Sequence, residues 1–105
     1  MSSAEGRVIL AGTVRFPIEK MDPALAVMME MMRLSREEDG CIEYAYSHDL
    51  IDPELVHVFE IWRDEAALTA HHDAPHFLAW KAERVGLGMT DRKLFRYEIS
   101  AAREA

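Results

Sequence analysis

Between Glu60 and Trp80 the chain reads EIWRDEAALTAHHDAPHFLAW, and its apolar period changes there from two to about 3.6. A run that ends as a strand and resumes as helix must fold back on the sheet it has just left, which excludes an all-helical or all-strand domain. The strand half, Leu55–Arg63, sets Val58, Glu60 and Trp62 on one face and Leu55, His57, Phe59 and Ile61 on the other. A sheet with helices on one side normally shows water a polar second face, so apolar and aromatic residues on both faces call for a second cover. Asp64 is placed to cap a short helix, EAALTAHH, with Ala67, Leu68 and His71 on one side. Asp73-Ala74-Pro75 breaks it, and Pro75 opens another helix on which Phe77, Trp80, Lys81 and Arg84 share a stripe. Gly86 and Gly88 end that helix.

The rest of the chain supplies the elements against which this stretch packs. Met1 to Arg7 is small and polar and reads as loose. Val8–Phe16, VILAGTVRF, is a strand rich in β-branched and apolar residues, closed by Pro17. Gly12 within it reads as a small residue packing under a helix, with a bulge or a close backbone approach as the other reading. Asp22-Pro23 marks a helix start with Asp22 as N-cap. Leu25, Met28, Met29 and Met32 then recur at i, i+3, i+4 and i+7, an apolar stripe running to about Glu38 and stopped at Gly40. Five methionines between Met21 and Met32 form an adaptable apolar wall, read first as core. Cys41–Asp49 is a second strand with Ile42, Tyr44, Tyr46 and His48 on one face, and a turn at Asp52-Pro53 leads into the third. A last strand, roughly Thr90–Ser100, sets Phe95, Tyr97 and Ile99 against Leu94, Arg96 and Glu98, and the tail AAREA reads as frayed or exchanged with a partner. The order strand, helix, strand, strand, helices, strand predicts a single α+β domain over 1–105: a ferredoxin-like split βαβ fold whose four-stranded antiparallel sheet carries its helices on one face.

Charge and composition narrow the partners. Nineteen acidic against twelve basic residues give a net charge of −7, and the bases form no long cluster, so neither nucleic acid nor an anionic membrane surface is an expected partner. The single Cys41 excludes an intrachain disulfide. No apolar run of about 18 residues and no secretory leader appears, and a soluble cytoplasmic protein is the expectation.

The run GCIEYAYSHDLIDPELVHVFEIWRDEAALTAHHDAPHF resembles the antibiotic biosynthesis monooxygenase (ABM) domain family over roughly Val8 to Ile99. The matching elements are Gly40-Cys41 at a strand start, the Asp52-Pro53 turn, Glu60 and Trp62 at a strand end, the Ala-rich helix Ala66 to His71, and Pro75-His76-Phe77, with Ala74 where serine is usual. The resemblance implies homodimers in which two sheets pack face to face as a dimeric α/β barrel, each subunit holding a pocket between sheet and helices. It implies activities that include cofactor-free oxygenation of anthrones and quinols, haem breakdown, and turnover of small signalling molecules.

Haem breakdown is not expected here. Haem-degrading relatives carry an asparagine in the first strand and a histidine ligand ten residues beyond the position of His71; this chain has no asparagine and has Lys81 there, a poor axial ligand while protonated. No metal site is expected either, because Pro75 interrupts the helix face that His72 and His76 would share. No glycine-rich phosphate loop or nucleophile elbow is present. Two function classes remain. One is a cofactor-independent monooxygenase for a small quinol- or anthrone-like molecule, with His71 as the base and Tyr44, Tyr46, Glu60, Trp62, Phe77 and Trp80 around the substrate. The other is a non-catalytic dimeric small-molecule binder or structural module of the same fold.

Overall fold

The computed structural model describes residues 5–105; most of the segment read as loose, residues 1–4, lies outside the described residues. The elements follow as β1 (Arg7–Arg15), α1 (Met21–Ser35), β2 (Cys41–His48), β3 (Leu55–Trp62), α2 (Glu65–Asp73), α3 (Pro75–Gly86) and β4 (Thr90–Ile99). The strands form one antiparallel sheet in the order β2-β3-β1-β4, so β1 and β3 are central; helices lie in the β1–β2 and β3–β4 connections, and a turn joins β2 to β3. This is the ferredoxin-like arrangement expected from the element order.

Register assigns the two faces. Val8 pairs with Trp62, Leu10 with Glu60, Gly12 with Val58 and Val14 with Val56, while Tyr44 lies opposite Glu60 and Tyr46 opposite Val58. These residues face the helices and, with Phe16, Met28, Leu68 and Trp80, build the core. The opposite face carries Ile9, Ala11, Phe59, Ile61, Phe95 and Tyr97 in neighbouring register positions across three strands. No helix among the described residues is long and apolar enough to cross a membrane.

Two local expectations are corrected. Asp22 does not cap α1: a 3-10 turn, Ile18–Lys20, follows Pro17 and leads directly into the helix at Met21, leaving Asp22 within the first turn. Glu54 serves that entry instead, its carboxylate accepting the Ile18 N–H at 2.7 Å. The buried stripe of α1 is Met21, Ala24, Met28, Met31 and Ser35, so Leu25 and Met32 are only half-buried and Met29 is exposed. With methionines at so many positions several helix phases look equally apolar, and contact with β2 and α3 selects the one whose small residues, Ala24 and Ser35, permit close approach.

Gly12 marks a close backbone approach rather than packing under a helix. A Cβ there would lie 1.8 Å from the Lys93 carbonyl oxygen of β4, and the β1–β4 register shifts just beyond, between Thr13 and Arg15. Bulging of β2 between Cys41 and Glu43 similarly turns Ile42 outward and pairs Cys41 with Trp62. Gly12→Ala should therefore cost about 2 kcal/mol or more in chemical denaturation, whereas Gly86→Ala, at a helical position with open space, should be neutral or stabilising by up to about 1 kcal/mol.

Candidate functional site

Local rules bring α2 and α3 onto the inner end of β3. The Asp64 carboxylate accepts the Ala67 N–H at 2.9 Å, which sets the phase of α2 and turns Ala67, Leu68 and His71 inward. Pro75 then starts α3 at once, placing His76 and Phe77 in its first turn and Trp80 one turn further, against Tyr46. Gly40, at φ +86°, reverses the chain after α1 so tightly that a Cβ would sit 2.5 Å from the Ala67 side chain; its carbonyl accepts the Arg63 N–H at 2.8 Å. The turn preceding Gly40 is thereby held against α2, with Glu38 beside His71.

Glu38 is the residue that joins the two histidines. Its Oε2 accepts from His71 Nδ1 at 2.6 Å and from His76 Nε2 at 2.8 Å. A carboxylate only accepts, so both nitrogens carry their protons, leaving His71 Nε2 and His76 Nδ1 unprotonated in the neutral rings. His71 Nε2 lies 3.4 Å from the Tyr44 hydroxyl, which donates to Met31 Sδ at 3.0 Å. The imidazole of His71 is fully enclosed, 4.5 Å from the Trp62 ring and 4.7 Å from Phe77 between centroids. Burial holds its pKa below the usual 6.5 against the opposing pull of Glu38.

All seven residues singled out in the sequence lie in one contiguous group. Tyr44 stacks on Tyr46 and meets Trp62 edge-on, Tyr46 meets Trp80 edge-on, and His71 touches Tyr44, Trp62 and Phe77. Glu60, however, is not the carboxylate beside His71. Buried on β3, it accepts the Trp62 indole N–H at 2.9 Å, and burial pushes its pKa up to about 7. Burial likewise keeps the Tyr44 and Tyr46 hydroxyls protonated, the latter with its pKa pushed up to about 12. Glu38 and the pairing of His71 with His76 escape a reading by spacing, since Glu38 is 33 residues from one partner and 38 from the other. His72, the histidine that spacing had matched with His76, is exposed and stays outside the carboxylate bridge.

A cleft of about 360 Å³ opens between α1 and α3. Val27, Met31, Leu34 and Trp80 make it apolar, and His76, Glu30 and Glu83 supply its polar groups. His76 thus belongs both to the carboxylate bridge and to the cleft wall, whereas His71 and Phe77 do not line the cleft.

The family model for antibiotic biosynthesis monooxygenase matches residues 7–83. The chain belongs to this family. It is 30% identical to an uncharacterized protein of Synechocystis over 77 residues, 73% of this chain and 52% of that protein, so it spans about half of that relative's length. It is also 25% identical to the Bacillus subtilis protein "Putative monooxygenase YcnE" over 93 residues, 89% of this chain and 98% of the relative. Among solved structures, a "putative antibiotic biosynthesis monooxygenase" from Deinococcus radiodurans superposes with a TM-score of 0.86 at 28% identity, covering 93% of this chain and 97% of the other.

Two pH effects of opposite sign follow from this ABM site. Glu60 keeps its proton to about pH 7 when folded, against an ordinary value of 4.5, so the stability carried by its neutral form is complete below 4.5 and is lost as the pH rises through 7. His71 is depressed, so its contribution is intact above 6.5 and is lost as the pH falls toward its folded value. Glu60→Gln keeps an acceptor for Trp62 and removes the ionisation; it should stabilise the protein at pH 8 by up to roughly 3 kcal/mol and have little effect at pH 4. Melting curves of the two proteins across that range check both the size and the sign.

Proposed function

We propose that the protein is a cofactor-independent monooxygenase for a small, uncharged, electron-rich aromatic molecule of the quinol or anthrone type, bound at the α1–α3 cleft. The observation that carries this reading is His76, which contributes to an apolar cleft wall and is held by the half-buried Glu38 carboxylate. Nδ1 of His76 is the free lone pair, Glu38 orients the ring and stabilises the imidazolium that forms, and His71 holds Glu38 from the other side. Exposure favours His76 over His71 as the group that meets substrate, with His71 as a positioning residue. The acidic groups Glu30 and Glu83 and the lack of a lysine or arginine among the lining residues favour an uncharged substrate over a carboxylate.

For an anthrone the chemistry balances without a cofactor. Removal of one C–H proton leaves a carbanion that reduces O₂ and bonds to it as a peroxide. Loss of the second hydrogen as the O–O bond breaks leaves a carbonyl, and the other oxygen departs as water. The base, a fixed orientation and exclusion of bulk water are the protein's share of this sequence.

The reading extends to a homodimer joined through the open sheet face. Phe95 and Tyr97 are 62% and 51% exposed and continue into Ala11, Ile9, Phe59 and Ile61, a contiguous apolar patch of the kind that a second copy covers. The native chain is expected to sediment as a dimer at micromolar concentration, and Phe95→Glu as a monomer; a native monomer would remove this part of the proposal.

Chelator-treated protein is expected to consume one O₂ per anthrone oxidised to the ketone. His76→Ala and Glu38→Gln should each lose about 10²–10⁴ in turnover with the fold retained. His71→Ala should lose turnover and also melt earlier, because the ring it deletes is fully enclosed. Absence of turnover across a quinol and anthrone panel, with ligand binding retained, would convert the protein into a small-molecule binder.

A further inference from the structure

Glu38, His71 and His76 come from three places in the chain: the turn after α1, the end of α2 and the start of α3. A Glu38 carboxylate oxygen, His71 Nδ1 and His76 Nε2 nevertheless all lie within 4.8 Å of one another. Both nitrogens are directed at the same oxygen, at 2.6 and 2.8 Å. Two imidazoles and one carboxylate converging on a point are a donor set that divalent first-row metals take from proteins. We propose that these three side chains form a binding site for a divalent first-row transition metal of the zinc type, with a further coordination position open to the α1–α3 cleft. The inference goes beyond the oxygenase reading and does not depend on it.

The chemistry of exchange is simple. In the metal-free state Glu38 accepts two N–H groups; on binding, each neutral imidazole carries its proton on the other ring nitrogen instead and turns the freed lone pair to the metal, a change of tautomer with no net loss of protons. In a tetrahedral site, metal–nitrogen and metal–oxygen bonds of about 2.0–2.2 Å separate neighbouring ligand atoms by roughly 3.3–3.6 Å. The present contacts of 2.6 and 2.8 Å need to widen by roughly half an ångström to one ångström, a movement that falls to Glu38, in the turn after α1. His71 is the rigid member, fixed by the Trp62 and Phe77 faces and met at Nε2 by the Tyr44 hydroxyl, an outer partner of the kind that orients a ligating histidine.

Access comes from two sides. His76 borders the α1–α3 cleft, and Glu38 borders a separate depression alongside Ala66, Ala67 and Ala70 of α2. The His57–Asp49 contact at 2.8 Å has, among the described residues, no third donor grouped with it, and His48 Nε2 is engaged by the Pro53 carbonyl. Among the described residues, Glu38, His71 and His76 are the one group of three with this geometry. Because Glu38 belongs to the bridge that would orient the base, a metal held there also provides a way to shut that base off.

Calorimetric titration of the chelator-treated 105-residue chain with Zn²⁺ tests the site directly. One Zn²⁺ per chain is expected, and His76→Ala and Glu38→Gln should each weaken binding by at least about 10-fold while exposed His72→Ala leaves it unchanged. In the unaltered protein, Zn²⁺ should shift the ring ¹⁵N resonances of His71 and His76 and leave those of His48 and His57 in place, a readout that does not need any variant to fold. No binding, binding untouched by both ligand variants, or shifts confined to other histidines would overturn the proposal. None of these readouts uses turnover, so a failed oxygenase assay leaves the metal result standing on its own.

Discussion

A single carboxylate, Glu38, ties together the three segments that surround the inner end of β3. It is mostly sheltered from water, and a charge in that position costs several kcal/mol unless donors surround it. Two imidazole N–H groups supply those donors, and much of the local structure serves to deliver them. Gly40 closes the turn that carries Glu38, Asp64 fixes the phase of α2 so that His71 faces inward, and Pro75 begins α3 so that His76 falls in its first turn. Deleting Glu38 would leave one fully enclosed N–H, on His71, and one half-buried N–H, on His76, without an acceptor, so the same residue matters to the packing of this end of the molecule and to its chemistry.

The charges around this bridge are arranged unequally. Burial raises the pKa of Glu60, with the charge of Glu38 adding to that rise, and Glu60 has the Trp62 indole as its donor while Glu38 has two imidazoles. With its pKa raised to about 7, Glu60 is an acid able to hold or pass a proton near neutral pH. Burial disfavours the charged form of His71 and keeps Tyr44 and Tyr46 protonated, and the imidazole of His76 borders the cleft.

What could be read in advance was local. Alternation in Leu55–Trp62, the cap at Asp64 and the break at Pro75 are encoded within a few residues, and they suffice for element order and the inward position of His71, whereas which sheet face meets the helices is settled only by register and burial. The α1 stripe was misphased because Met29 and Met32 look as apolar as Met28 and Met31, and only contact with β2 and α3 tells them apart. Gly12 was ambiguous for the same reason: the carbonyl that forbids a side chain there belongs to Lys93, on a strand 81 residues later in the chain. Glu38 was missed altogether, since an acid at the end of an exposed-looking run, EED, carries no local mark of burial. Tyr44, Tyr46, Trp62, Phe77 and Trp80 were legible as a group because large aromatic residues at inward positions of one sheet face and one helix must meet.

Long-range ¹H–¹⁵N correlation spectra of the histidine side chains, followed from pH 8 to pH 5 without added metal, test the shared carboxylate most directly. His71 should show a protonated Nδ1 and an unprotonated Nε2, His76 the reverse pattern with Nε2 protonated, and the His71 midpoint should fall below 6.5. Glu38→Gln should alter both rings together. A His71 ring protonated at Nε2, or one titrating at or above 6.5 and indifferent to Glu38→Gln, would contradict the bridge on which this reading of the site depends.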